Sequence, residues 1–308
     1  MFKFDKLKGL GKRPPAPRTP EEVQERLDEM RSWTRGPINS FLSWFVQVFL
    51  IGLPMVTFLR LFNRVRILHR DRLRHIKPPY LLVSNHLTMF DDAFLDPLLF
   101  FPWAIWHPRY LPWHAPEEKN FFLGPIFTWM MKKARCVPLT RGHGVFQPGM
   151  TRLKELLENG YTIHIFPEGT RSRTGDINRG QVGVGRIAYQ SKAKVVPCYH
   201  EGTQEILPIG RHWLQTGKKM SVIVGEPVDM EDLYAEKESR ETYQRIADRM
   251  IDRIRALREE LHAEGYGTTP RPASSVHEAP AEQDGTNGKP PSGNRPEKAE
   301  HQRDSIKS

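Results

Sequence analysis

From Phe41 to Leu59 the chain reads FLSWFVQVFLIGLPMVTFL, nineteen positions without a charge. As a helix rising about 1.5 Å per residue this stretch would be roughly 28 Å long, close to the hydrocarbon thickness of a bilayer. A buried core helix is the alternative. Trp44 near one end instead suits a segment that meets a membrane interface. Pro54 interrupts the run and allows a kinked span or a re-entrant hairpin. Six arginines follow (Arg60, Arg64, Arg66, Arg70, Arg72 and Arg74), against only Arg31 and Arg35 close upstream. The positive-inside rule then places everything after residue 60 on the cytoplasmic side, and the same arginines could hold anionic headgroups.

The segments on either side divide the chain. Residues 1–36 read as an N-terminal tail, with a short helix between Glu21 and Met30 whose acidic run argues against a mitochondrial transit peptide. Residues 37–75 are the anchor and its basic flank, and 76–262 are the working domain. Residues 263–308 are Pro, Gly, Ser, Glu and Lys with little to bury, a disordered tail by composition. Two cysteines cannot form a disulfide framework or a zinc finger, and no P-loop is present. The net charge of +10 (46 basic against 36 acidic residues) invites a nucleic-acid reading. The basic cluster follows an apolar anchor rather than interleaved aromatics, so no nucleic-acid partner is expected.

Within the domain, strand and helix signals alternate. Tyr80–Ser84, Tyr161–Phe166, Lys194–His200 and Met220–Val224 read as strands. Helical periodicity starts near Phe90, covers Met150 to Leu157 and Val184 to Lys192, and fills residues 236–262. The pattern predicts an α/β fold: a mostly parallel central sheet flanked by helices, with the membrane-embedded apolar helical segment N-terminal to it. Gly180-x-x-Gly183-x-Gly185 is in the wrong order for a dinucleotide fingerprint and reads as close helix packing. Cys136 and Cys198 read as small core residues.

Ligands of open α/β sheets collect at the carboxyl ends of strands. Two polar stretches stand there, Ser84-Asn85-His86-Leu87-Thr88-Met89-Phe90-Asp91-Asp92 and Phe166-Pro167-Glu168-Gly169-Thr170-Arg171-Ser172. A neutral His86 can take a proton from an alcohol, and Asp91 can hold its other ring nitrogen. Thr88-x-x-Asp91 also fits a helix cap. Glu168, Gly169, Thr170 and Arg171 supply a permissive backbone, a hydroxyl and a guanidinium, and Arg141 adds a second cation; arginine suits forked recognition of phosphate. His69, His75, His107, His114 and His143 are scattered without a His-x-x-x-His pair, so no metal site is expected. One base and two phosphate-binding arginines beside a membrane anchor fit acyl transfer onto the hydroxyl of a phospholipid precursor. The alternative from another class is a membrane-surface binding protein without turnover, which would need neither His86 nor Asp91.

These motifs resemble those of the glycerophospholipid acyltransferases that include the 1-acyl-sn-glycerol-3-phosphate acyltransferases. The resemblance rests on Asn85-His86-x4-Asp91, on Phe166 to Ser172, on the block around Arg141 and on Val196-Pro197. Asp91-Asp92, Arg141 to Met150, His164 to Gly169 and Gly183 to Arg186 are more similar to the tafazzin branch of phospholipid transacylases, whereas Thr170-Arg171-Ser172 has the form of the thioester-using enzymes. The resemblance implies His86 and Asp91 as catalytic residues and Arg141 and Arg171 on the acceptor's phosphate, with Glu168, Gly169 and Thr170 in the same binding loop. It implies membrane phospholipids, a lysophospholipid acceptor and an acyl donor as partners. It calls for no cofactor beyond the acyl-CoA or acyl carrier protein thioester as co-substrate. The expected reaction gives phosphatidic acid, and CoA-independent exchange between phospholipids is the alternative. The expected location is the cytoplasmic face of a membrane, the bacterial inner membrane by the lack of a transit signal.

Overall fold

Tyr80–Ser84 is apolar at every position but its last and buried throughout, as a strand covered on both faces must be. The computed structural model describes residues 19–140, 147–211 and 213–267. In chain order the main elements are α1 (Pro20–Ser32), α2 (Pro37–Phe62), β1 (Arg64–Leu68), β2 (Tyr80–Ser84) and α3 (Asp91–Phe100), then α4 (Gly124–Lys133) and α5 (Pro148–Glu158). β3 (Ile163–Ile165), α6 (Val182–Ser191), β4 (Lys194–Glu201), β5 (Lys219–Val224) and α7 (Arg240–Ala263) follow.

The strands form one sheet in the order β1-β5-β4-β2-β3. β1 with β5, β4 with β2, and β2 with β3 pair parallel; β4 and β5 pair antiparallel. The mostly parallel α/β sheet expected from the alternation is therefore present. Successive β2 side chains face opposite sides. Leu81 and Val83 join a core with α1, α5, α6 and α7, while Tyr80 and Leu82 join another with α2 and α3. α6 crosses α7 closely: a Cβ on Gly185 would sit 1.8 Å from the Tyr243 carbonyl oxygen, and one on Gly180 would sit 2.8 Å from that of Ala247. The glycines are thus packing residues, and Cys136 and Cys198 are buried free thiols.

Three points are decided by the structure. First, of the two alternatives at Pro54 the chain does not take the re-entrant hairpin: α2 is continuous over Pro37–Phe62. A π-helical stretch over Val46–Gly52 ends two residues before the proline. The wider turn accommodates a residue that has no N–H and whose ring crowds the carbonyl four residues back. By length and composition α2 can cross a membrane, but one side of it is docked on the domain. Gln47 donates to the carbonyls of Pro112 (3.1 Å) and Ala134 (3.4 Å), Trp44 donates to that of Ile105 (3.0 Å), and Val48 and Leu59 are buried. Ile38, Phe41, Leu50 and Leu61 on its other side are exposed.

Second, Arg64–Leu68, within the stretch read as the anchor's basic flank, is an edge strand of the sheet. Most of the arginine block is engaged by the protein itself. Arg70 donates to the Leu99 carbonyl and, with Arg74, lies over the Trp103 ring; Arg72 donates to the Val224 carbonyl and pairs with Glu226; Arg66 lies over Tyr266. Third, the N-terminal helix is not a tail element. Thr19 caps it through a capping box with Glu22, and Leu27, Met30 and Trp33 are buried in the main core.

Candidate active site

The register sets Val83 beside Ile165 and Ser84 beside Cys198. The loops leaving β2 and β3 therefore open at the same end of the sheet, next to the end of β4. Asn85 fixes the first loop to β4: its amide donates to the His200 carbonyl and accepts from the His200 N–H, both at 2.9 Å. The His200 ring closes the link by donating Nε2–H to the Asn85 carbonyl at 2.8 Å.

His86 follows, and its Nδ1 lies 2.9 Å from Asp91 Oδ2. Asp91 begins α3 and is fully buried. Its carboxylate also accepts from the N–H groups of Leu87 (2.6 Å) and Thr88 (2.9 Å) and from the Thr88 hydroxyl (2.7 Å). Burial alone would raise its pKa; the His200 and His86 imidazoles and the Thr88 N–H outweigh burial and hold the carboxyl well below the usual carboxylate range. An ionised Asp91 accepts a hydrogen bond from the Nδ1–H of His86, which leaves Nε2 as the nitrogen with a free lone pair. The cap reading of Thr88 and Asp91 and the orienting reading thus coexist in one carboxylate.

The second loop holds the first from below. Glu168 accepts the His86 N–H at 2.8 Å on one oxygen, and the Asn178 N–H (2.9 Å) and side-chain amide (2.8 Å) on the other. It is buried, and its pKa is raised by that burial against the opposing N–H donors. Among the described residues every polar contact of Glu168 is internal, so its carboxylate positions the His86 backbone. The Ser172 N–H donates to the His86 carbonyl at 2.8 Å. The Phe166 ring stacks on His86 at 3.9 Å, tilted by 8°. Gly169 turns the loop with φ +64°, and a Cβ there would meet the Gln181 side chain at 2.9 Å. Gly169 and Thr170 are exposed and Arg171 is half-buried. Arg171 forms no ion pair with any described carboxylate, which leaves its guanidinium available to an anion. Arg141 lies outside the described residues, as does His143.

Sequence reasoning overlooked His200 and Phe166 as supports of the site. It reads Phe166 as the head of the second loop, and His200 only as the last residue of a strand. It also treated the histidines as scattered, whereas the fold gathers His114 with His164 and Asp96, and His69 with Glu260 and Glu264.

Residues 64–201 match the family model described as Acyltransferase. The chain is 31% identical to Tafazzin of Drosophila melanogaster over 225 residues, covering 70% of this chain and 59% of that protein. It is 32% identical over 113 residues to the chloroplastic 1-acyl-sn-glycerol-3-phosphate acyltransferase LPAT1 of Arabidopsis thaliana, covering 36% of this chain and 32% of the relative. The match thus spans less than two thirds of either relative's own length. Among solved structures, the 1-acyl-sn-glycerophosphate (LPA) acyltransferase PlsC of Thermotoga maritima is similar with a TM-score of 0.49 and 21% identity, covering 76% of this chain and 95% of that one. The stretch that carries His86, Asp91 and the loop from Phe166 is thus an acyltransferase-family region of the chain, residues 64–201.

Proposed function

We propose that the protein is a membrane-associated O-acyltransferase that esterifies the free hydroxyl of a lysophospholipid, with lysophosphatidic acid as acceptor and an acyl thioester as donor. The observation that carries this reading is the His86–Asp91 pair, held at a strand end with Nδ1 committed to Asp91. In the proposed reaction, His86 Nε2 takes the proton of the acceptor hydroxyl as its oxygen attacks the thioester carbonyl. When the carbon–sulfur bond breaks, the thiolate of CoA or acyl carrier protein recovers that proton. Positioned base catalysis of this type contributes roughly 10²–10⁴-fold. Arg171 and Arg141 hold the acceptor's phosphate, and Gly169 and Thr170 give the loop that bears Arg171 its shape. The exposed side of α2 meets the lipid, with the domain on the cytoplasmic face of what we take to be a bacterial inner membrane. No cofactor enters this scheme beyond the thioester.

A second reading is favoured by one observation: the similarity to Drosophila Tafazzin covers about twice as much of this chain as that to LPAT1. In that reading the donor is a phospholipid ester, and His86 acts on the lysophospholipid hydroxyl as before. Purified protein in mixed micelles, given labelled lysophosphatidic acid with acyl-CoA or donor phospholipid separately, tests both. Transfer that requires acyl-CoA supports the first reading, and transfer from phospholipid without CoA supports the second. Transfer from neither, or transfer equal to that of a His86→Ala blank, refutes both.

A further inference from the structure

Behind the His86 loop lies a second cluster of polar side chains that the proposed reaction does not use. Asp92 and Asp96 stand one helical turn apart on α3, so both carboxylates project from one face. The His114 ring lies between them, with Nδ1 3.4 Å from Asp92 Oδ2 and Nε2 3.5 Å from Asp96 Oδ2. On the other side of Asp96, its Oδ1 is 2.8 Å from Nδ1 of the buried His164 on β3. His164 Nε2 in turn meets the Ser84 hydroxyl at 2.8 Å.

Asp96 and His114 are each more than nine-tenths buried. Nevertheless Asp96 Oδ2 and His114 Nδ1 make no hydrogen bond within the described structure. Two carboxylates and two imidazoles packed together with unsatisfied atoms are costly unless something compensates the charge. One ligand atom each from Asp96, His114 and His164 lies within 4.8 Å of the others. In a tetrahedral zinc site, bonds of about 2.0–2.1 Å place neighbouring ligand atoms roughly 3.3 Å apart. The two oxygens of Asp96 divide between the imidazoles, Oδ1 2.8 Å from His164 Nδ1 and Oδ2 3.5 Å from His114 Nε2, separations on either side of that value.

The surroundings are also those of a metal site. A ligating imidazole generally directs its second nitrogen to a carboxylate or other polar partner that fixes its tautomer. Here, with His114 Nε2 and His164 Nδ1 turned to the common centre, His114 Nδ1 faces Asp92 and His164 Nε2 faces Ser84. Asp92 is part-exposed, which gives an ion a way in from the surface. We propose that Asp96, His114 and His164 bind one divalent transition-metal cation, Zn²⁺ by donor type, with Asp92 and Ser84 as supporting partners. Such an ion would tie α3, the 113–114 segment and β3 together behind His86, since Phe166 packs against both His164 and His86. The proposal does not depend on which acyl donor the enzyme uses.

The test uses the full-length protein, purified in detergent without chelators. Its metal content is measured directly, then the protein is stripped and titrated with Zn²⁺ and, for its visible absorption, Co²⁺. The expected result is one equivalent per chain, with Co²⁺ bands typical of low-coordinate nitrogen and oxygen ligation. His114→Gln should abolish stoichiometric binding. Asp92→Asn, a milder change at the cluster's edge, should weaken Zn²⁺ by roughly 10- to 100-fold. Thermal unfolding midpoints should rise with Zn²⁺ in the parent and not in His114→Gln. Absence of stoichiometric binding to the folded parent would overturn the proposal, as would binding that survives His114→Gln but is lost in Glu260→Gln, which would place the ion at His69, Glu260 and Glu264.

Discussion

Glu168→Gln separates a residue that positions His86 from one that touches the acceptor. The carboxylate accepts three N–H donors, one from His86 on Oε1 and two from Asn178 on Oε2. A glutamine at this position has one acceptor oxygen and one amide NH₂. If the oxygen keeps both Asn178 donors, the NH₂ group faces the His86 N–H, donor against donor. One hydrogen bond is then lost and a part-buried N–H is left without its acceptor, a cost of about 1–3 kcal/mol. Loss of the charge weakens the two remaining bonds, so about 2–3 kcal/mol in all is a reasonable expectation. For a domain of this size that corresponds to a fall in Tm of roughly 4–10 °C. In the acyl-transfer assay kcat should fall, because the His86 backbone shifts relative to Asp91, while KM for lysophosphatidic acid stays near the parent value. A raised KM with kcat and Tm unchanged would refute the argument and return Glu168 to the acceptor site.

Other outcomes follow from the same geometry. His86→Ala should lower turnover by roughly 10²–10⁴-fold or more with Tm little changed, and ordinary turnover in that variant would sink the proposed base. Arg171→Ala should raise KM for the phosphorylated acceptor roughly tenfold or more, as loss of a charged hydrogen bond would, and an unchanged KM would remove Arg171 from the phosphate. Gly185→Ala places a methyl group 1.8 Å from the Tyr243 carbonyl oxygen, backbone that cannot swing aside. It should destabilise the domain by roughly 1–3 kcal/mol or more, seen as a lower urea midpoint. Asp91 has a folded-state pKa below its ordinary 3.8, so the unfolded chain takes up that proton first as pH falls. Its contribution is present above 3.8 and is lost progressively below it. Urea midpoints followed from about pH 6 to about pH 3 should therefore fall less steeply in Asp91→Asn than in the parent.

Some of this was legible in the chain itself. A strand buried on both faces must be apolar at nearly every position, so Tyr80–Ser84 identified itself, and the long periodic stripe of α7 did the same. His86 and Asp91 are five residues apart, joined by local contacts through Leu87 and Thr88, so their pairing was open to spacing, although spacing left the helix-cap reading of Asp91 beside it. β1 escaped notice because its arginines drew the eye from the alternation of Arg64 and Arg66 with Val65 and Ile67. Edge-strand charge and membrane-flank charge look alike until pairing with β5 is known. Glu168 was placed correctly in a loop at a strand end, but which way its carboxylate turned depended on Asn178 and on the His86 backbone 82 residues away. The meeting of Asp96, His114 and His164 is a consequence of sheet order. Local spacing determined the local elements and the His86–Asp91 pair; contacts between residues far apart in the chain were decided by packing of the sheet, because only tertiary structure brings distant side chains within bonding distance.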